Sequence, residues 1–237
     1  MKLNCEKLRA VLFDWDGTLA ESNPPKISAV NQVLNKYGLP DWEKVKDLRD
    51  NNLSFMDNFP KIFGKNAREA YVEYCEIYLQ TIKKGLNGYN KAADVIKFLR
   101  SRGVKTAIMT NKDRKLLEAE LPLLYPENYF DRIVCGHEAL HDKPYGDHAL
   151  YTLKGLIDIK DISPQTVWII GDSQLDNRCA AAVNALPIRI NHEPSSSEFC
   201  ECNNMLYFSD YNALYEALRY KESEILPIEQ VQREKLN

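Results

Sequence analysis

The stretch Val11-Leu12-Phe13-Asp14-Trp15-Asp16-Gly17-Thr18-Leu19 constrains this chain more than any other segment. An apolar β-type run delivers two aspartates, one residue apart, and stops at a glycine. Side chains alternate along a strand, so Asp14 and Asp16 leave its end on the same side. Ligands of open α/β sheets bind at strand ends. Two carboxylates in such a place repel and lose hydration unless a cation or a proton compensates them. The arrangement fits a metal-assisted site in which one aspartate attacks and the other handles protons.

The rest of the chain alternates. Residues 8–14 read as a strand. A helix-rich block follows from about Pro24 to Gly85, with Ile27, Val30, Val33, Leu34 and Tyr37 at helical spacing and a tyrosine stripe at Tyr71, Tyr74 and Tyr78. No period-two pattern interrupts that block. From Asn90 onward helices and strands alternate: a helix over Ala92–Leu99, a strand over Val104–Met109, a helix from Lys112 that Pro122 ends, and a strand over Asp131–Cys135. A helix from near Asp147, a strand over Thr166–Ile170, a helix over 176–184 and a strand over Leu186–Ile190 come next. A Pro/Ser-rich loop then covers His192 to Asn204, before a strand over Met205–Phe208 and a helix capped by Asp210. Such alternation implies an α/β fold with a doubly wound parallel sheet, and the helical block reads as an all-helical insertion over the strand ends. The expected organisation is a core of 1–20 and 86–220, a helical cap of 21–85 and a charged tail of 221–237.

Composition excludes several classes. With a net charge of −3 the chain lacks the basic surplus of a nucleic-acid binder. No apolar run approaches a membrane span, and the polar N-terminus is unlike a signal peptide. The cysteines at 5, 75, 135, 179, 200 and 202 read as reduced thiols, because Cys200-Glu-Cys202 is too short a spacing for a zinc finger and no second pair answers it. A cytoplasmic protein is the expectation.

Four short pieces fall after strands: Asp14-x-Asp16-Gly17-Thr18, Thr110-Asn111-Lys112, Lys143-Pro144, and Gly171-Asp172-Ser-Gln-Leu-Asp176. Singly each has an ordinary reading, as a turn, a helix cap or a surface loop. Together they deliver to one sheet edge a carboxylate nucleophile, a second carboxylate, a hydroxyl, an amine and an acidic cluster. Those are the parts that phosphoryl transfer needs.

In this order the pieces resemble the haloacid dehalogenase superfamily, in its phosphoglycolate phosphatase-like branch with a helical cap, over about Arg9 to Tyr220. The resemblance implies a Rossmann-like core and a Mg2+-dependent phosphatase acting on a small phosphorylated metabolite. It implies that Asp14 attacks phosphorus and that Asp16 protonates the leaving alkoxide, then deprotonates water. Asp16 needs a proton at the start, so its pKa is expected to be raised by neighbouring carboxylates. Thr110 and Asn111 would meet the phosphate, and Lys143 would neutralise charge on Asp14 and the phosphoryl group. Mg2+ would sit on Asp14, the Asp16 carbonyl and Asp172, with Asp176 a further or outer ligand. Three features depart from the family pattern. Val183-Asn184-Ala185 stands where a glycine is common, Tyr145-Gly146-Asp147 where Pro-Asp is common, and Trp15 between the aspartates is bulkier than usual.

A second motif competes. His137-Glu138-Ala139-Leu140-His141 spells a zinc metalloprotease signature. Gly136 before it and Pro144 after it leave barely two helical turns, and no glutamate lies between Glu138 and Glu193 to serve as third ligand. A turn that delivers Lys143 is the expected structure. On the phosphatase scaffold a phosphomutase stays open, as does a phosphonatase using a cap lysine such as Lys26, Lys36 or Lys44, or a non-catalytic binding protein. The identity of the substrate and the oligomeric state are not encoded in any of these signals.

Overall fold

Apolar segments too brief for helices, each bounded by a turn or helix cap, form the sheet. The computed structural model describes residue 3 and residues 5–50, 53–125, 129–195 and 204–219. Its six strands are β1 (Ala10–Phe13), β2 (Lys105–Met109), β3 (Arg132–Val134), β4 (Val167–Gly171), β5 (Leu186–Ile190) and β6 (Leu206–Phe208). They are ordered β3-β2-β1-β4-β5-β6, and every pairing is parallel. The direction of winding reverses between β1 and β4, which opens a crevice at their C-terminal ends. Asp14 and Asp172 are the first residues beyond those two strands.

Alternation along β1 sorts the two layers of the core. Val11 and Phe13 face helices α5 (Ala92–Arg100) and α9 (Tyr211–Arg219), where Val95, Ile96, Leu99, Leu214 and Leu218 cover them. Ala10 and Leu12 face the opposite way, onto α7 (Gly146–Leu153) and α8 (Gln174–Ala182), through Ala149, Leu153, Cys179 and Ala180. Both sheet faces are therefore dry, as a parallel sheet requires.

Between β1 and α5 the chain forms α1 (Asn23–Lys36), α2 (Trp42–Val45), α3 (Phe59–Phe63) and α4 (Ala67–Ile82). Their apolar faces share a separate cluster that includes Val30, Leu34, Trp42, Phe59, Phe63, Tyr74 and Tyr78. Leu116 of α6 (Arg114–Leu124) joins that cluster, so the insertion rests on α6. Its entry and exit run side by side: the Glu21 N–H donates to the Asn87 carbonyl at 2.8 Å. The tyrosine stripe packs, as its spacing suggests.

The sequence misplaces one boundary. Pro122 does not end α6, which continues to Leu124. Pro122 removes one backbone donor from the ladder, yet the turn beyond it still closes, with the Leu121 carbonyl accepting the Tyr125 N–H at 2.9 Å. Asn184, at the place of the common glycine, adopts the left-handed conformation (φ 58°) that asparagine tolerates. The expected charged tail, the Cys200/Cys202 pair and the middle of the Pro/Ser-rich loop lie outside the described residues. No described helix is long and apolar enough to cross a membrane.

Candidate active site

The four strand-end pieces meet at the crevice. The Asp14 N–H donates to the Ile170 carbonyl at 2.9 Å, which keeps Asp14 in step with the sheet as its side chain turns to the edge. Lys143, from the loop between β3 and α7, places its Nζ 2.6 Å from Asp14 Oδ1 and 2.7 Å from Asp176 Oδ1. One carboxylate oxygen from each of Asp14, Asp172 and Asp176 lies within 4.8 Å of the other two. Asp14, Lys143 and Asp176 are all buried.

Two glycines make this approach feasible. Gly17 has φ +77°, and a Cβ there would stand 2.2 Å from Asp172 Oδ2. At Gly171 a Cβ would stand 2.1 Å from the Asp176 Cγ. Any side chain at either position would push a carboxylate out of the cluster.

The ordinary reading of Asp-Ser as a helix cap holds together with the functional one. Ser173 caps α8, and Asp176 Oδ2 accepts the Ser173 N–H at 3.1 Å and its hydroxyl at 2.6 Å, while Oδ1 meets Lys143. Asn111 serves the same lysine from the other side. Its Nδ2 donates to the Lys143 carbonyl at 2.8 Å and its Oδ1 accepts the Lys143 N–H at 3.0 Å. Each end of the Asn111 amide thus makes one hydrogen bond to the Lys143 backbone. Thr110 is buried after β2, where its hydroxyl accepts the Lys112 N–H at 3.2 Å.

The electrostatics of the cluster are unbalanced. Burial pushes Asp14 up to about 6; Lys143 opposes the shift and Asp176 adds to it. Burial, then Asp14 and Asp176, push Asp172 well above the usual carboxylate range. Burial would strip the Lys143 amine of its proton, but Asp14 and Asp176 hold it charged above the ordinary lysine value. Three carboxylates therefore face one amine. A hard divalent cation with oxygen ligands fits this donor set, and it would relieve the repulsion. Saturating Mg2+ should consequently raise the melting temperature, with a stabilisation of about 2.7 kcal/mol at a hundred times its dissociation constant. Calorimetry with and without EDTA measures the shift, which should shrink in Asp172→Asn.

Asp16 is handled differently. Its Oδ1 accepts from Lys112 Nζ at 2.7 Å and from the Ser22 hydroxyl, and its Oδ2 lies 3.6 Å from Lys26 Nζ of α1. The expectation of a raised Asp16 pKa is corrected here. Burial does oppose its charge, but Lys112 and Lys26 outweigh burial and hold Asp16 well below the ordinary aspartate value. Lys112 closes the Thr110-Asn111-Lys112 piece, but the sequence assigns no role to it or to its partner Glu120, 2.7 Å away. Trp15 points away from the aspartates into the core, as expected, and its Nε1 donates to Glu120.

A cavity of about 490 Å³ opens between this edge and the helical insertion. Asp14, Asp16, Thr110, Lys143 and Asp172 form its floor. Lys26, Lys46 and Arg49 line the opposite wall beside Trp42, Phe55 and Tyr74. The Arg49 guanidinium stands 5.3 Å from the Trp42 ring centroid and 5.9 Å from that of Phe55, and its buried Nε has no hydrogen-bond partner.

The His-Glu-x-x-His segment is a turn. His137 is left-handed (φ 64°), Glu138 pairs with Arg114 at 2.7 Å and His141 with Asp147 at 2.7 Å. Among the described residues the only group of three or more metal-type ligands is Asp14, Asp172 and Asp176.

Comparison with known proteins agrees with this picture. A family model described as haloacid dehalogenase-like hydrolase matches residues 11–189. The pyrophosphatase PpaX of Bacillus cereus strain Q1 is 29% identical over 171 residues, covering 72% of this chain and 77% of that protein. PpaX of B. cereus strain G9842 is 27% identical over 170 residues, with the same coverage. Among solved structures, CbbY of Rhodobacter sphaeroides in complex with xylulose-(1,5)bisphosphate superposes with a TM-score of 0.72 at 20% identity, covering 86% of this chain and 95% of that one. A Lactobacillus plantarum protein assigned as a phosphoglycolate phosphatase gives 0.69 at 19% identity, covering 90% and 100%.

Proposed function

This chain belongs to the haloacid dehalogenase-like hydrolases, and from that premise we propose that it is a Mg2+-dependent phosphatase that hydrolyses a small phosphomonoester through an aspartyl-phosphate. The observation that carries the reading is a buried Asp14 held 2.6 Å from the Lys143 amine, on the floor of the cavity between the sheet edge and the helical insertion.

Asp14 attacks phosphorus, and the bond from phosphorus to the leaving oxygen breaks. Asp16 delivers the proton that the alkoxide needs. The two amines beside Asp16 favour its ionised form, but a phosphoryl dianion arriving alongside offsets them, so Asp16 takes up a proton from solvent before it donates one. In the second half Asp16 takes a proton from water, the water oxygen bonds to phosphorus, and the Asp14 carboxylate leaves. Lys143 neutralises Asp14 and the charge on the transferring group, and the Thr110 hydroxyl binds a phosphoryl oxygen. Asp14, Asp172 and the Asp16 carbonyl, with Asp176 behind, would hold Mg2+, which supplies charge neutralisation to the phosphoryl oxygens.

Residues 21–85 act in this reading as a cap that closes over the site, on a core of 1–20 and 86–220. A cavity of about 490 Å³ suits a metabolite and is too small for duplex nucleic acid or a folded protein. Free thiols at Cys5, Cys75, Cys135 and Cys179 support a reducing, cytoplasmic setting. The unpartnered Arg49 Nε on the cap wall favours a leaving group that carries a second anion.

A panel of phosphorylated metabolites that includes pyrophosphate and phosphoglycolate, assayed with Mg2+ for release of inorganic phosphate, tests the assignment. Release at the expense of one ester supports it; transfer to a second position of the same substrate without release points to a phosphomutase, and no chemistry on any member points to a binding protein. Arg49→Met should raise KM about tenfold for esters with a second anion. It should raise KM less for p-nitrophenyl phosphate, and equal effects on both would remove Arg49 from recognition.

A further inference from the structure

Glu120 sits in the middle of α6 with no solvent exposure. A carboxylate so far from water is costly, and an apolar residue of similar size would serve the packing of α6 better. Its partners give it a purpose. Glu120 Oε2 accepts from Trp15 Nε1 at 2.5 Å, and Oε1 lies 2.7 Å from Lys112 Nζ. The same ammonium donates to Asp16 Oδ1 at 2.7 Å and to the Tyr78 hydroxyl at 3.3 Å. The path closes on itself. Residues 15 and 16 are neighbours that send their side chains in opposite directions, and Glu120 with Lys112 joins the two ends.

We propose that Lys112, paired with a Glu120 that Trp15 holds in place, is a positioning residue that fixes the Asp16 carboxylate at the leaving oxygen. Tyr78 belongs to α4 of the insertion, so the bracket is complete only when the insertion lies against α6. The inference rests on the phosphatase reading and extends it to three residues outside the reacting set. Donor counting separates the two buried lysines. A lysine has three N–H donors. Lys112 donates to Asp16 and to Tyr78 and forms an ion pair with Glu120 at 2.7 Å, so acceptors of the protein already surround its ammonium. Lys143 has two close acceptors among the described residues, Asp14 and Asp176, and retains one donor for substrate. Trp15, which departs from the family pattern, thereby acquires a role beyond filling the core. An acid–base carboxylate left free to rotate loses much of its catalytic effect, because proton transfer depends on sub-ångström placement.

The test is kcat/KM over a series of aryl phosphates, from p-nitrophenyl to phenyl phosphate, at saturating Mg2+. A good leaving group needs no acid, whereas a poor one does. Glu120→Gln, Trp15→Phe and Lys112→Met should steepen the dependence on the leaving group. Relative to wild type, phenyl phosphate should lose at least about tenfold more than p-nitrophenyl phosphate, and KM should change by less than about threefold. Lys112→Met leaves Glu120 buried and unpaired, which threatens folding. The double variant K112M/E120L replaces both partners with apolar groups and should fold with the same steepened dependence. A uniform loss across the series, or a double variant with the wild-type slope, overturns the positioning role. A rise in KM at unchanged kcat overturns it too, because Lys112 would then touch substrate. A wild type that releases phosphate from neither the aryl series nor any member of the metabolite panel overturns the phosphatase reading itself; an active wild type with unchanged slopes in the variants overturns only this inference.

Discussion

Asp14→Asn is expected to lose at least about 10⁴-fold in turnover and to fold into a more stable protein. The loss follows from the chemistry: an amide oxygen does not attack phosphorus, and no other carboxylate takes its place, because Asp172 and Asp176 sit behind it in the cluster and Asp16 is held by Lys112 and Lys26. The stabilisation follows from electrostatics. Burial, with Asp176 adding to it, raises Asp14 to about 6 against the pull of Lys143, so the ionised group is less comfortable folded than unfolded. A raised acid holds its proton in the folded state at pH values where the unfolded chain has lost it. Its contribution is fully favourable below the ordinary carboxylate value and is lost as pH rises through about 6. The stability gain of Asp14→Asn over wild type should therefore be small near about pH 4 and full above about pH 6 in metal-free buffer. Denaturant titrations of both proteins across that range measure it. A variant that is less stable at every pH contradicts the electrostatic account, and one that still hydrolyses p-nitrophenyl phosphate removes Asp14 as nucleophile.

The second large effect is expected at Lys143. Its amine is buried between Asp14 and Asp176, at 2.6 and 2.7 Å. Lys143→Met fills the same space but leaves both carboxylates unpaired, which should cost about 3–5 kcal/mol. For a chain of this length that lowers the melting temperature by about 10 °C. Activity should fall at least about 10³-fold, as for loss of an electrostatic stabiliser at a transferring group. Divalent metal gives the variant a signature: Mg2+ should stabilise Lys143→Met more than wild type, because the cation then replaces the missing charge. Differential scanning calorimetry with and without Mg2+ reads this directly, and equal metal shifts in the two proteins would contradict a shared carboxylate cluster.

Much of this arrangement is legible in the sequence because it depends on strand ends. The apolar run into Asp14-x-Asp16-Gly17, and the runs into Thr110 and Gly171-Asp172, place their polar residues by local rules, and a parallel sheet brings all such ends to one edge. What sequence hides is the partner of each charge. Glu120 looks like one of two acids on an amphipathic helix; it is buried because Trp15 and Tyr78 of the insertion pack against it, a contact that spans 105 residues in the first case. The Asp16 pKa is misjudged for the same reason. Its acidic neighbours are visible in the motif, whereas Lys112 and Lys26 reach it from two other elements. Asn111 shows a milder version: next to Thr110 it reads as a phosphate contact, and nothing in the sequence signals that its amide also spans 32 residues to clamp the Lys143 backbone. Pro122 misleads because the loss of one backbone donor does not stop the turn beyond it from closing.

The central claim is that the Asp14 carboxylate takes up the phosphoryl group. Acid quench of an Asp16→Asn variant during turnover of p-nitrophenyl phosphate with Mg2+, followed by peptide mass spectrometry, tests it most directly. The account predicts a phosphoryl group on the peptide that carries Asp14, located at that side chain and lost on mild alkaline treatment. Turnover by that variant with no covalent phosphate at Asp14, or with the group on another residue, would contradict it.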